Sequence, residues 1–483
     1  MRVALINDGM YPYRQGVGGT WCHRLVRGLP EHAFHLVTVS DRAPAAPVYH
    51  PPANTLTLTS IAIAGPSNAP KRGRPALTHR RPATHAAVLL CRSMLEDTPH
   101  SVAMFRSALR RLAIAGTDGT HPLGGVPLAA VLLDAWNAAY HPQGRSPGTT
   151  PPRPALPEPA QRDAADAAQL LEQAVRPLAT PMPLTDLNHA VDAGLSALVA
   201  LGAKWRTGTP FVLTEHQPYL QAPLLDRTTG RTAVRAILLR FFRALARLAY
   251  TEASHIVTPS EPLRRWALDH NAAREKVAVV PYGVDPHSCP TLRGEPAEPT
   301  LTWLGPTRDF TTMQAALTKI RAANPETRLI VAGPAAEVDR VHLDVVNFLG
   351  PVTHRRSAYS TGQVIVVSSG DPTMPYALIE AMMCGRPTIC IDDGAITPMV
   401  GMGAVVVPPD NPDALAEACL TLLTSKDRRR QLSMAASQRA RSLFGLRMLL
   451  DRFRETYEMA SHDTSAPTER LVPVAPAMPA QLT

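Results

Sequence analysis

A single carboxylate, Glu380, stands near the start of a short helical stretch in 371-DPTMPYALIEAMMCGRPTICIDDG-394. A glutamate about one turn into a helix can accept two ribose hydroxyls, while the helix start offers unpaired backbone N–H groups to phosphate oxygens. Pro375 suits the first helical position, so Tyr376, Ala377 and Leu378 are the expected N–H donors. Gly385 then caps the helix and Pro387 stops it. The apolar neighbours on both sides, Leu378 and Ile379, then Met382 and Met383, argue against a freely solvated side chain at Glu380.

Three further stretches carry residue types suited to the same chemistry. In 7-NDGMYPYRQGVGGTWCHRLVRGLP-30, a strand runs through Gly16, Gly18 and Gly19 into a helix with Trp21, Leu25 and Leu29 at i, i+4 and i+8. Such glycines let backbone N–H groups crowd a ligand, although a plain strand-to-helix turn reads the same way. The spacing is not GxGxxG, which disfavours NAD. In 210-PFVLTEHQPYL-220 a strand ends at His216, which can donate to a sugar hydroxyl or steady a developing charge. A lone histidine there is more often structural. In 302-TWLGPTRDFTTMQAAL-317 Arg308 falls at a helix entrance, placed either to grip a diphosphate or to pair with Asp309 on the surface. His189 in 185-TDLNHAVDAGLSAL-198 precedes a small-residue helix and reads as packing.

These pieces need a frame of alternating strands and helices. In the second half, strands are expected at Thr300–Leu304, Arg328–Ala332, Asn347–Leu349, Val364–Val367, Thr388–Ile391 and Ala404–Val407. The first half repeats the habit more loosely at Arg2–Ile6, Phe34–Val39, Ala129–Leu133, Phe211–Thr214, His255–Val257 and Val277–Val280. This pattern predicts an α/β protein of two doubly wound Rossmann-like domains facing a central cleft. The first would span residues 1–285, followed by a linker over 286–299 and a second domain over 300–444. A final helix over 445–460, apolar at Leu449, Leu450, Phe453 and Tyr457, would return to the first domain, leaving a disordered tail over 461–483. Prolines, 48 in 483 residues, crowd segments 41–86 and 141–160, which read as loop-like insertions unable to hold a helix or a central strand.

Composition narrows the partners. A net charge of +9 raises nucleic acid as a ligand, but only five of the 49 basic residues are lysines and the arginines are dispersed. No zinc-finger or aromatic–basic signature accompanies them, so nucleic acid is excluded and weak attraction to anionic membranes is what remains. The six cysteines have no metal-ligand spacing, consistent with reduced thiols in a cytoplasmic protein. No apolar run reaches the ~18 residues of a membrane span, and the start MRVALINDGMYPY reads as a strand, not a signal peptide.

Taken in order, YPYRQGVGGTWCHRLVRGLPEHAF, YHPPANTLTLTSIAI, TGTPFVLTEHQPYL, KVAVVPYGVD, RLIVAGP, VNFLGPV and LIEAMMCGRPTI resemble the GT-B glycosyltransferases of family four, more closely the PelF-like branch with its own N-terminal domain. The resemblance implies sugar transfer from a nucleotide-sugar donor such as a UDP-sugar, with retention and with no metal or other cofactor. It places Gly18, Gly19 and Thr20 near donor phosphate and acceptor, His216 on the sugar, Arg308 on the diphosphate and Glu380 on the ribose. Three positions depart from the family's pattern: Gln217 follows TEH in place of Gly, Pro306 stands where the first diphosphate-binding Arg belongs, and Pro372 replaces the sugar-facing Glu. Asp371, one residue earlier, is the available substitute for that Glu. Two readings follow. One is a hexosyltransferase acting in polysaccharide or glycolipid synthesis, with peripheral membrane or polysaccharide-machinery partners. The other is a non-catalytic GT-B-shaped subunit.

Overall fold

The structure, a computed structural model, describes residues 1–42, 46–64, 77–96, 100–116, 121–141, 156–305, 310–332, 345–350, 355–368, 374–392 and 396–462. Residues 1–279 supply β1 (Arg2–Asn7), α1 (Val17–Gly28), β2 (Ala33–Ser40), β3 (Thr55–Ala62), α2 (Leu77–Glu96), α3 (Ser101–Ala115), α4 (Leu128–Tyr140), α5 (Gln161–Val175), β4 (Leu187–Val191), α6 (Leu195–Thr207), β5 (Phe211–Thr214), α7 (Thr232–Glu252), β6 (His255–Thr258), α8 (Glu261–Asp269) and β7 (Val277–Val279). The strands form one parallel sheet in the order β3-β2-β1-β4-β5-β6-β7. Val3, Ala4, Leu5 and Ile6 are fully buried, the continuous apolar run expected of a strand covered on both faces.

The remaining elements are β8 (Thr300–Leu304), α9 (Phe310–Ala323), β9 (Arg328–Ala332), β10 (Val346–Gly350), α10 (Arg355–Thr361), β11 (Val364–Ser368), α11 (Met374–Met383), β12 (Thr388–Ile391), α12 (Thr397–Val400), β13 (Val405–Val407), α13 (Pro412–Thr424), α14 (Lys426–Leu443) and α15 (Leu446–His462). Here too the sheet is parallel, in the order β10-β9-β8-β11-β12-β13. The α/β architecture of two doubly wound domains is therefore observed. In each sheet the chain's direction of winding reverses beside the first strand, between β1 and β4 and between β8 and β11. Ligands in open α/β sheets bind beyond the carboxyl ends of strands at such points.

Two expectations are corrected, and one strand appears that the sequence did not lead one to expect. Ala129–Leu133 is part of helix α4, not a strand; Leu128, Leu132 and Trp136 are buried at i, i+4 and i+8, and the helix is 13 residues long. The segment 41–86 holds both a strand, β3, and the first half of α2, with Pro82 inside that helix. Its strand is an edge strand, where flanking prolines break no central ladder. The stretch Leu187–Val191 is a buried central strand whose Asn188 and His189 disguise its apolar character. Much of 141–160, and the tail from 463, lie outside the described residues.

The two domains share an apolar core that includes Trp21, Tyr282, Tyr376, Leu378 and Phe453. Helix α15 packs on the first domain, with Phe453 against Trp21 at 5.3 Å between ring centroids and stacked on His189 at 5.6 Å. The chain crosses there tightly: Val284 N–H donates to Phe444 O and Leu446 N–H to Val284 O, both at 2.8 Å. A Cβ on Gly283 would come within 2.9 Å of Leu446 Cα, so glycine permits this approach.

Candidate functional site

Helix α11 presents Glu380 toward the first domain. Gly385, at φ +70°, ends the helical run, and Tyr376, Ala377, Leu378, Ile379 and Met382 are buried. With the helix starting at Met374, Tyr376 falls in the first turn, where N–H groups have no intrahelical acceptor, and Ala377 and Leu378 follow it.

Glu380 already has partners on both carboxylate oxygens. Arg24 on α1 donates from Nη2 to Oε1 at 2.9 Å, and the Tyr359 hydroxyl donates to Oε2 at 3.1 Å. The other Arg24 nitrogen, Nη1, donates to Gly283 O at 2.7 Å, and the guanidinium lies 4.3 Å from the centroid of the Tyr376 ring. Arg24 is not evident from glycine or carboxylate spacing. Its one signal is its place at i+3 from the buried Trp21, beside the apolar stripe of α1.

From Tyr376 a row of rings leads into the first domain. Tyr376 meets Tyr282 at 5.3 Å, and Tyr282 stacks on His216 at 5.6 Å with planes 14° apart. The Tyr282 hydroxyl lies 3.2 Å from His216 Nδ1, while His216 Nε2 is buried without a partner. Burial pushes the His216 imidazole down to about 3, so it is neutral over the ordinary pH range. Three of the sequence candidates, Glu380, Tyr376 and His216, are thus connected through Arg24 and Tyr282. Arg308 and Asp371, like Pro306 and Pro372, lie outside the described residues.

The glycine loop is folded on itself. Asn7 anchors it, accepting the N–H groups of Met10 and Tyr11 at 2.9 and 3.0 Å and donating to Tyr11 O at 2.9 Å. Gly18 and Gly19 are buried in the first turn of α1. A Cβ on Gly18 would meet Met10 Sδ at 2.3 Å, and one on Gly19 would meet Arg14 O at 2.3 Å. Close packing of the loop on the helix therefore accounts for Gly19, whose neighbour is backbone, whereas Met10 beside Gly18 is a flexible side chain. The Thr20 hydroxyl is paired with the Tyr49 hydroxyl at 3.0 Å.

Acids cluster beyond the carboxyl ends of β1, β4 and β5. Asp8 caps α6, accepting from Ser196 N–H at 2.6 Å and Leu195 N–H at 3.0 Å. Asp192, in the left-handed region at φ +68°, accepts from His216 N–H at 2.6 Å and Gln217 N–H at 3.3 Å. Burial pushes both carboxyls up to about 7, against those hydrogen bonds, and at Asp192 the charge of Asp8 adds to the rise. Glu215, fully buried, is held well above the usual carboxylate range by burial and by neighbouring Asp192. Asp192 escapes a reading of the sequence because the signal, an acid just past a strand end, needs β4 to be recognised; Asp8 follows the expected first strand, but its partners on α6 are 187 and 188 residues away. His189 is structural, with Nδ1 paired to Tyr457 Oη and Nε2 to Thr214 Oγ1, both at 2.7 Å.

Beside Asp8 opens a cavity of about 190 Å³ whose lining includes Arg14, Val39, Ile63, Leu224 and Phe242. It lies past the ends of β1, β2 and β3. Among the described residues no three His, Cys, Asp or Glu side chains are grouped to hold a metal ion, and no helix is long and apolar enough to cross a membrane.

Residues 1–275 match the family described as Domain of unknown function (DUF3492), and residues 300–425 match Glycosyl transferases group 1. The D-rhamnosyltransferase WbpZ of Pseudomonas aeruginosa is 24% identical over 284 residues, 55% of this chain and 68% of that protein. Among solved structures, the sucrose-phosphate synthase of Thermosynechococcus elongatus superposes with a TM-score of 0.54 at 15% identity, covering 95% of this chain and 98% of that one. HepE from Anabaena, solved with UDP and glucose, gives 0.53 at 12% identity over 95% and 99% of the two chains. Likeness at these identities bears on the fold, which is the GT-B arrangement expected from the sequence.

Proposed function

This chain belongs to the DUF3492 family, and from that membership and the Glycosyl transferases group 1 match of its second domain we propose that it transfers a sugar from a nucleotide-sugar donor to a hydroxyl acceptor. The observation that carries the reading is Glu380 on α11, beyond the end of β11 and turned to the first domain. In this reading the donor's ribose hydroxyls bind Glu380, and its diphosphate lies at the α11 N-terminus. Partial positive charge there favours the anion, and it favours the departing diphosphate more as charge builds in the transition state.

The neutral imidazole of His216 offers its unpartnered Nε2 to a sugar hydroxyl. The cavity beside Asp8 receives the acceptor, a growing polysaccharide, a glycolipid or a small molecule, so that its hydroxyl approaches from the first domain. Transfer with retention and without a metal is part of the proposal, as are hexose as the sugar and a cytoplasmic or membrane-peripheral setting. Arg308 holding the diphosphate and Asp371 holding the sugar complete it.

Calorimetric titration of the full chain with UDP, GDP and their sugars tests this reading. Binding that Glu380→Ala removes supports it, and no binding by the unaltered protein overturns it.

A second reading is a non-catalytic GT-B-shaped partner of a sugar-polymer machine. It is favoured by the pairing of Glu380 with Arg24 and by Pro306 and Pro372 at donor positions. Sugar release from a bound donor that is lost in Arg308→Ala would overturn it.

A further inference from the structure

The ion pair of Arg24 and Glu380 occupies the place where the transferase reading puts the donor's ribose, and the following inference rests on that reading. Both oxygens of Glu380 already accept a hydrogen bond, so the two hydroxyls of a ribose compete there with contacts it holds. Of the two, Tyr359 comes from the same domain as Glu380, whereas Arg24 reaches across from the first. Side-chain exposure is 22% at Arg24 and 12% at Glu380, so a ligand can reach the pair. We propose that Arg24 is a further donor-binding residue that exchanges partners. It holds Glu380 in the free protein and turns to the donor's diphosphate when the ribose takes Glu380.

Chemistry and placement both support the exchange. Guanidinium has five N–H donors, no acceptor and a charge it does not lose, so leaving it unpaired between two domains is unfavourable. The anion brought by the same ligand is the diphosphate, and the guanidinium already lies 4.3 Å from the ring of Tyr376, in the first turn of α11. Rotation over that ring face keeps the cation–π contact while the fork of N–H groups changes target. Meanwhile Nη1 can stay on Gly283 O. The exchange would give the diphosphate a bidentate cation from the first domain opposite a helix end from the second. Pro306 offers no such charge from the second domain.

The test compares nucleosides with their diphosphates, using uridine against UDP and guanosine against GDP, on the full chain and on Arg24→Ala and Arg24→Met. Uridine reports the competition at Glu380, and UDP adds the diphosphate. Expected is a loss of about 10–100-fold in diphosphate affinity with nucleoside affinity unchanged or improved, so that the preference for the diphosphate collapses. Arg24→Lys should restore part of that preference. A merely structural role would weaken nucleoside and diphosphate by one common factor, and that result overturns the proposal, as does diphosphate binding undiminished in both variants. Arg24→Met keeps the stem over Tyr376, so the comparison survives if Arg24→Ala does not fold. No nucleotide binding by the unaltered protein would overturn the transferase reading and this proposal together. Binding with an intact diphosphate preference in the variants overturns the exchange alone.

Discussion

Asp192 holds the backbone of His216 in place: its Oδ1 accepts the His216 N–H at 2.6 Å from a residue itself at φ +68°. The backbone conformation disfavours most side chains but is accessible to Asp and Asn. Asp192→Asn should therefore fold with its amide oxygen in the same role. Asp192→Ala leaves two N–H groups without this acceptor and strains the backbone, destabilising by about 2–4 kcal/mol. Urea denaturation of the two variants measures the difference. Equal midpoints would remove Asp192 from this positioning role.

The same carboxyl, with Asp8, predicts how stability varies with pH. Both are raised from 3.8 to about 7 in the folded protein. A raised folded value means that the native state binds the extra protons, so this contribution is complete below about pH 4 and is lost as pH rises through 7. His189 and His216, pushed down to about 3 by burial, act oppositely: their contribution is complete above about 6.5 and is lost as pH falls toward 3. The two effects oppose each other between pH 4 and 6.5. Between pH 6.5 and 8 these acids, with Glu215 acting in the same direction, stand alone, and stability should fall by at least about 1.5 kcal/mol. Asp192→Asn should flatten that fall in chemical denaturation at pH 6.5, 7 and 8; an unchanged slope would contradict it.

Gly19 separates packing from ligand binding in the glycine loop. A methyl group there would sit 2.3 Å from the backbone oxygen of Arg14. Backbone cannot yield as a flexible side chain does, so Gly19→Ala should lower stability by about 1–3 kcal/mol without any ligand present. Thermal unfolding of the free protein measures it. A normal unfolding temperature with impaired nucleotide binding would instead mean that the glycine serves the ligand.

The apolar β runs of both domains, and Glu380 on its helix, are legible in the sequence because periodicity and capping are local signals. The strand Leu187–Val191 is not, since buried His189 finds its partners only in the distant Thr214 and Tyr457, and buried Asn188, with Thr185 on its Oδ1, breaks the apolar run. Arg24 fails for the same reason: its partner is 356 residues away, and nothing near it in the chain records the pairing. The helix over 128–140 misleads differently, because a short apolar run looks the same in a strand and in a buried helix turn. The proline-rich segment 41–86 misleads because its composition outweighs the alternation in TLTLTSIA, an edge strand with Leu56 and Leu58 exposed.

Helix α15 is the fastening that couples the end of the chain to the site. Phe453 packs against both Trp21 and His189, Tyr457 donates to or accepts from His189 Nδ1, and Trp21 in turn lies 4.7 Å from His216. Phe453→Ala removes a fully buried ring and should cost about 3–5 kcal/mol. Tyr457→Phe keeps the ring and leaves His189 short of one hydrogen bond in a buried site, a loss of about 1–3 kcal/mol. If α15 only fastens the fold, nucleotide binding by folded Tyr457→Phe should match the unaltered protein. If it also sets the pose of His216 through Trp21, donor-sugar affinity should fall while UDP affinity holds, because His216 faces the sugar in the proposed site. Denaturation and titration on the same two variants distinguish these outcomes, and full stability in Phe453→Ala would show that α15 does not bind the first domain as described.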